Sequence, residues 1–157
     1  MERLRHVLEP LLKPEQVLDL PAGVPKQGIV ARLGEAAAKA AGVKPEHLRA
    51  VLDALWDREL ILSTGIGLGI AVPHVRHANV PTEAMVVGRS KSGVAFDAID
   101  GKPVFAVFTI LMPAGQHRHH VEVLGGIAAA LKDEGRRASI FAAPDAALFV
   151  QRILSPR

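Results

Sequence analysis

Apolar positions recur with helical spacing in two neighbouring stretches. Between Pro25 and Ala41, residues Ile29, Val30, Leu33, Ala36, Ala37 and Ala40 share one face and Gly42 supplies a stop, which predicts a helix. A second helix is expected to begin with Pro45 in its first turn and to carry Leu48, Val51, Leu52, Leu55 and Trp56 as a core-facing stripe. The helical period returns from about Gln116 to Lys132, with Val121, Leu124, Ile127, Ala128 and Leu131 on one face. Weaker helical segments are expected at Glu2 to Leu12 and Pro144 to Ile153. Strand signals lie between these helices. A small one spans Val17 to Leu20. Two more, Ala84 to Ser90 and Val94 to Phe96, read as joined by a turn at Lys91 to Gly93. An Asp100-Gly101 turn then precedes the β-branched and aromatic run from Val104 to Met112, a buried central strand that Pro113 to Gln116 end. Helices, then strands, then helices imply an α/β sandwich with a mixed sheet.

Composition narrows the class of protein. At 157 residues, the chain is expected to form a single domain over 1–157 with one stable core, and 49% hydrophobic with 22% charged residues place it away from the disordered regime. There is no cysteine, which excludes disulfides, iron–sulfur clusters, thiolate zinc sites and cysteine nucleophiles. The net charge of +3 comes from scattered lysines and arginines, with only Arg136 and Arg137 adjacent, so no nucleic-acid partner is expected. The start lacks the apolar run of a signal peptide and the run from Val104 to Met112 is too short to span a bilayer. A cytoplasmic protein without membrane insertion is therefore expected.

The candidate chemistry centres on Ser63 to His77, STGIGLGIAVPHVRH. Glycines at Gly65, Gly67 and Gly69 permit crowded or left-handed backbone, and Pro73 fixes its own φ, so His74 should be held rigidly on a turn. Arg58 falls near Val51 on the edge of its helix stripe, a permanent cation a few residues before the glycines; complementing the helix C-terminal dipole is an equally good account of it. Of the seven histidines, His6, His47 and His77 read as residues without a special task. In the cluster His117, His119 and His120, helical rotation of roughly 100° per residue brings His120 to within about 40° of Leu124 on the apolar face and turns His119 well away. His120 would also sit in a helix's first turn, where the dipole favours anions and disfavours imidazolium, a setting suited to phosphate chemistry. The glycines do not form GxGxxG, because position 70 is Ile, and no GxxxxGK[ST] or GxSxG is present. An all-histidine metal site from His74, His77, His117 and His120 stands as an alternative.

Arg58-Glu59, then STGIGLGIAVPH, then FDAIDGKPV, then a helix opening His120-Val121-Glu122-Val123-Leu124, resemble in order the type-2 EIIA domain of the bacterial phosphoenolpyruvate-dependent phosphotransferase system, the fructose/mannitol and nitrogen-regulatory group. The resemblance covers nearly the whole chain. It implies a three-layer α/β/α sandwich with a mixed sheet of about five strands, and a transferase that carries phosphate on histidine. His74 would be the phosphoryl acceptor, with Arg58 and His120 as its active-site partners and Thr64, Gly65, Gly67 and Gly69 supporting the phosphoryl site. The donor would be an HPr-type phosphocarrier protein, and neither cofactor nor metal is needed because the donor N–P bond is already activated. The acceptor would be an EIIB domain or a regulatory target protein. An EIIB of this class carries its phosphate on cysteine, so it is expected on a separate chain. A free-standing nitrogen-type regulator is the preferred role, and a relay for fructose/mannitol-type sugar uptake is the alternative. Two positions depart from the resemblance: Leu68 stands where the family usually has Asn, and GQHRHH replaces its commoner acidic or glycine-rich spacer before His120.

Overall fold

The computed structural model describes residues 2–155. Six helices and six strands follow in chain order: α1 (Glu2–Leu8), β1 (Val17–Asp19), α2 (Lys26–Ala41), α3 (Leu48–Ile61), β2 (Gly65–Gly67), β3 (Ile70–Ala71), β4 (His74–His77), β5 (Ala84–Val94), β6 (Val104–Pro113), α4 (His117–Ala130), α5 (Glu134–Phe141) and α6 (Ala146–Leu154). Pro45 stands at the head of a short 3₁₀ turn, Pro45–His47, that leads into α3. Gly42 ends α2 with φ 77°, the left-handed conformation that glycine adopts without penalty.

The sheet runs β1-β5-β6-β3-β2, with β4 also paired to β6. β5 and β6 are antiparallel, whereas β1 runs parallel to β5 and both β3 and β4 run parallel to β6. The long central strands are apolar on both faces, and alternation assigns their side chains to two cores. Met85, Val87, Phe108, Ile110 and Met112 pack with residues of α1, α4, α5 and α6. Ala84, Val86, Val107 and Leu111 pack with residues of α2 and α3. A sheet buried on both faces in this way is the middle layer of the expected α/β/α sandwich. Six strands are present where about five were expected. Among the described residues no helix is long and apolar enough to cross a membrane.

Three expectations need correction. β5 is one strand from Ala84 to Val94 instead of two strands with a turn at Lys91 to Gly93. Its pairing with β6 shifts between Arg89 and Val94, and Gly93 at φ 83° absorbs the irregularity. The first helix ends at Leu8, short of Leu12. The segment Ser63 to His77 contributes three short strands, β2 to β4, with β3 and β4 lying end to end along one edge of β6 in unbroken register: Ile70 is opposite Ala106 and His74 opposite Ile110. Pro73 cannot donate to the ladder, so the strand is interrupted there, while its carbonyl still accepts from Ile110 N–H at 2.9 Å. His74 is thus the first residue after a break in a strand.

Candidate functional site

The register of β4 sets the direction of its side chains. His74 and Arg76 stand opposite Ile110 and Met112, which face the α4 side, and Val75 between them packs against the core beneath α2 and α3. α4 begins at His117 just beyond β6, so its first turn brings His120 over His74, and the two ring centroids are 4.7 Å apart at an interplanar angle of 52°. Arg58 reaches the same place from the end of α3. Arg58, His74, Val75, Arg76, Ala114, Gly115 and His120 line one open cavity of about 460 Å³.

Each group has a defined state. His74 Nδ1 lies 2.6 Å from the carbonyl oxygen of Val72. Only an Nδ1–H can bond to a carbonyl, so the neutral imidazole carries its proton there and Nε2 keeps the free lone pair. Burial lowers the pKa of His74 below 6.5; the Arg58 and Arg76 guanidinium groups lower it further, and the Val72 bond and the Glu59 carboxylate act against them. His120 is pushed down to about 4 by burial, then by His74, Arg76, His117 and Arg58. Its Nδ1 is buried and has no hydrogen-bond partner among the described residues. Both imidazoles are therefore neutral near pH 7, beside two permanent cations. Arg58 Nη1 donates to Leu62 O at 3.0 Å, so the residue holds the end of α3 and lines the cavity as well. The two readings of its position in the helix are compatible.

The structure brings His74, Arg58 and His120 together. Thr64, Gly65, Gly67 and Gly69 do not line the cavity. Thr64 is buried with its hydroxyl on Glu59, and the glycines serve packing of the β2–β3 hairpin: a Cβ on Gly65 would lie 2.7 Å from Ala98 Cα, and one on Gly69 2.9 Å from the Phe105 ring. His119, expected to turn away from the apolar face of its helix, has its Nε2 2.7 Å from Glu83 Oε1. Among the described residues, no three metal-ligating side chains come together, so His74, His77, His117 and His120 do not form a four-histidine cluster. Two residues to which the sequence assigns no role stand beside the site. Arg76 is two residues from His74, a spacing that shares a face only once the segment is known to be a strand. Glu59 is buried at i+4 from Leu55 within the apolar stripe of α3, which is itself a signal.

Residues 10–155 match the family described as phosphoenolpyruvate-dependent sugar phosphotransferase system, EIIA 2. A nitrogen regulatory protein of Bradyrhizobium diazoefficiens is 34% identical over 137 residues, covering 87% of each chain. The fructose-specific EIIABC component of Bacillus subtilis is 39% identical over 95 residues, 60% of this chain but 15% of that longer protein. The crystal structure of the nitrogen regulatory protein IIA-Ntr from Neisseria meningitidis superposes with a TM-score of 0.83 at 31% identity, covering 95% of this chain and 99% of that one.

Proposed function

This chain belongs to the EIIA type-2 family of the phosphoenolpyruvate-dependent sugar phosphotransferase system, and from that premise we propose that it carries a phosphoryl group on His74 Nε2. The observation that supports this most directly is the bond from His74 Nδ1–H to Val72 O, which leaves Nε2 as the nucleophilic nitrogen beside the cavity shared with His120, Arg58 and Arg76. An HPr-type protein bearing phosphohistidine is the donor. Nε2 attacks phosphorus in line; the Nε2–P bond forms as the donor N–P bond breaks, and the donor histidine leaves as neutral imidazole. The positive charge gained by the His74 ring is accommodated at Nδ1–H, whose bond to Val72 O strengthens as it becomes charge-assisted. Arg58 and Arg76 neutralise the equatorial oxygens. His120 lacks a partner at Nδ1, so its proton is best kept on Nε2, from which it can donate to a phosphoryl oxygen.

A nitrogen-type regulatory role is favoured over a sugar-uptake relay, because the likeness to the Bradyrhizobium diazoefficiens nitrogen regulatory protein extends over 87% of both chains. Exposed Leu60, Ile61, Leu62, Ile66 and Leu68 on α3, the β2 strand and the turns beside them offer apolar surface to whichever protein receives the phosphoryl group. The test is intact-mass measurement after incubation with enzyme I, HPr and phosphoenolpyruvate. Uptake of one phosphoryl group by the wild type and none by His74→Ala is expected; full uptake by His74→Ala would overturn the assignment.

A further inference from the structure

Glu59 is a charged residue only 2% exposed, and it lies behind the cavity and not in it. A carboxylate is retained at such depth only when partners replace its lost water. Thr64 supplies two of them, its N–H donating to Oε1 at 2.9 Å and its hydroxyl to Oε2 at 2.6 Å. Lys26 Nζ at the start of α2 approaches Oε1 at 3.0 Å. The lysine is fixed in turn by Ser63 Oγ at 3.4 Å, by Asp97 at 3.8 Å and by the Phe96 ring, whose centroid is 5.0 Å away.

The bonds continue from Thr64 to the nucleophile. Val72 N–H donates to Thr64 O at 3.0 Å, and Val72 O accepts Nδ1–H of His74 at 2.6 Å. An uninterrupted path therefore runs from Lys26 through Glu59, Thr64 and Val72 to His74. It crosses the short hairpin of β2 and β3, where the ladder is thinnest: Gly65 and Gly67 pair with Ala71 and Ile70, and the register slips between them. β6 holds the chain on either side of Val72, through Ala71 and Pro73, and on the hairpin side Val72 is tied to Thr64, which the carboxylate grips. Glu59 also follows Arg58 directly, so one turn of α3 sends a guanidinium to the cavity and a carboxylate to its rear wall.

We propose that Glu59, clamped by Lys26, is a positioning residue for phosphoryl transfer: through Thr64 and Val72 it fixes the carbonyl that holds His74 Nδ1–H and so aims Nε2 into the cavity. Its charge adds a second effect, opposing the pull of Arg58 and Arg76 on the imidazole. This inference rests on His74 being the phosphoryl acceptor, but it makes a claim about the unphosphorylated protein as well.

Glu59→Gln keeps the side-chain shape while removing the charge and the Lys26 ion pair; Thr64→Val removes the hydroxyl donor, and Thr64→Ser retains it. The ¹⁵N spectrum of the His74 imidazole is followed against pH in each variant, together with the steady-state rate of uptake from phosphorylated HPr and the thermal unfolding curve. Glu59→Gln is expected to lower the His74 titration midpoint, and Thr64→Val to reduce the share of the Nδ1–H tautomer. Each should cut the maximal transfer rate by about 10–10²-fold, the cost of a slightly misplaced nucleophile, with the KM for the donor little changed. Thr64→Ser should recover most of the tautomer population and rate that valine loses. Wild-type tautomer, midpoint and maximal rate in both Glu59→Gln and Thr64→Val, with only thermal stability reduced, would overturn the proposal. So would a rate loss lying wholly in KM. If Glu59→Gln fails to fold, the valine and serine pair decides alone. Loss of the tautomer in Thr64→Val alongside a wild type that takes up no phosphate would support the positioning path and count against the phosphocarrier reading only.

Discussion

His74 has two sides built on opposite principles. Behind it, Val72, Thr64, Glu59 and Lys26 form a bonded frame around a buried carboxylate, with distances of 2.6 to 3.0 Å. In front, Arg58, Arg76 and His120 border an open cavity, and among the described residues Arg58 donates a hydrogen bond only to Leu62 O, at the end of its own helix and outside the cavity lining. The difference matches two requirements of the phosphoryl transfer proposed for His74. The nucleophile must be aimed before the donor arrives, which calls for rigid burial. The groups that meet the phosphoryl oxygens must be free to bind them, which calls for donors not already satisfied within the protein.

The front side should break first on loss of charge. Arg58→Ala is expected to slow uptake from phosphorylated HPr by about 10²-fold or more, as removal of a donor to developing charge does elsewhere. Arg58→Lys should recover only part of this, because an ammonium lacks the planar fork. Since Arg58 also bonds Leu62 O, the unfolding curve must be measured alongside; a rate loss explained by unfolding alone would move Arg58 to the frame side.

His120→Gln is the next largest change, with an expected loss of roughly 10–10²-fold, the value of one hydrogen bond to a charged group. It also has a signature in stability. His120 titrates at about 4 in the fold against an ordinary 6.5, so between those values the unfolded chain binds the extra proton and the folded one does not. Stability therefore falls as pH is lowered from 6.5 towards 4. His120→Gln should flatten that slope, read from urea unfolding at several pH values; His74, whose pKa is also lowered, accounts for acid sensitivity that persists. An unaltered slope would mean that the His120 ring is solvated in the free protein and belongs to the front side only on binding.

The two sides were not equally legible from sequence. His74 could be found from Pro73 and the glycines, and His120 from its rotation relative to Leu124, because each follows from a period or a backbone constraint. β5 and β6 were readable as buried strands from their unbroken apolar runs. The frame was hidden for physical reasons. β2, β3 and β4 hold only two to four residues each, too few for a period-2 pattern, and their glycines suggested a phosphate-facing loop where the need was close packing on Ala98 and Phe105. Glu59 was visible as a carboxylate in an apolar stripe, but its partner Thr64 comes after the helix ends, and its path to His74 exists only through backbone groups that carry no side-chain signal.

Leu68 offers the smallest effect and a clean separation of the two sides. It sits at the tip of the β2–β3 hairpin with φ 61°, 51% exposed. A leucine in left-handed backbone is strained by about 1–2 kcal/mol relative to a residue that tolerates the conformation, and asparagine is one that does. The Asn that the resemblance implies at this position would thus have a conformational reason as well as a polar one. Leu68→Asn is expected to raise stability by about 1 kcal/mol, an increase in Tm of about 2–4 °C for a chain of this size. Uptake from phosphorylated HPr should continue at the wild-type rate, because Leu68 touches neither the cavity nor the bonds from Glu59 to His74. Leu68→Gly relieves the strain without adding a polar group. If the asparagine and glycine variants both gain stability and both lose transfer, the loss is that of the apolar side chain, which would place the hairpin tip on the donor's docking surface. A loss in the asparagine variant alone would instead mark the polar group as unfavourable to that partner.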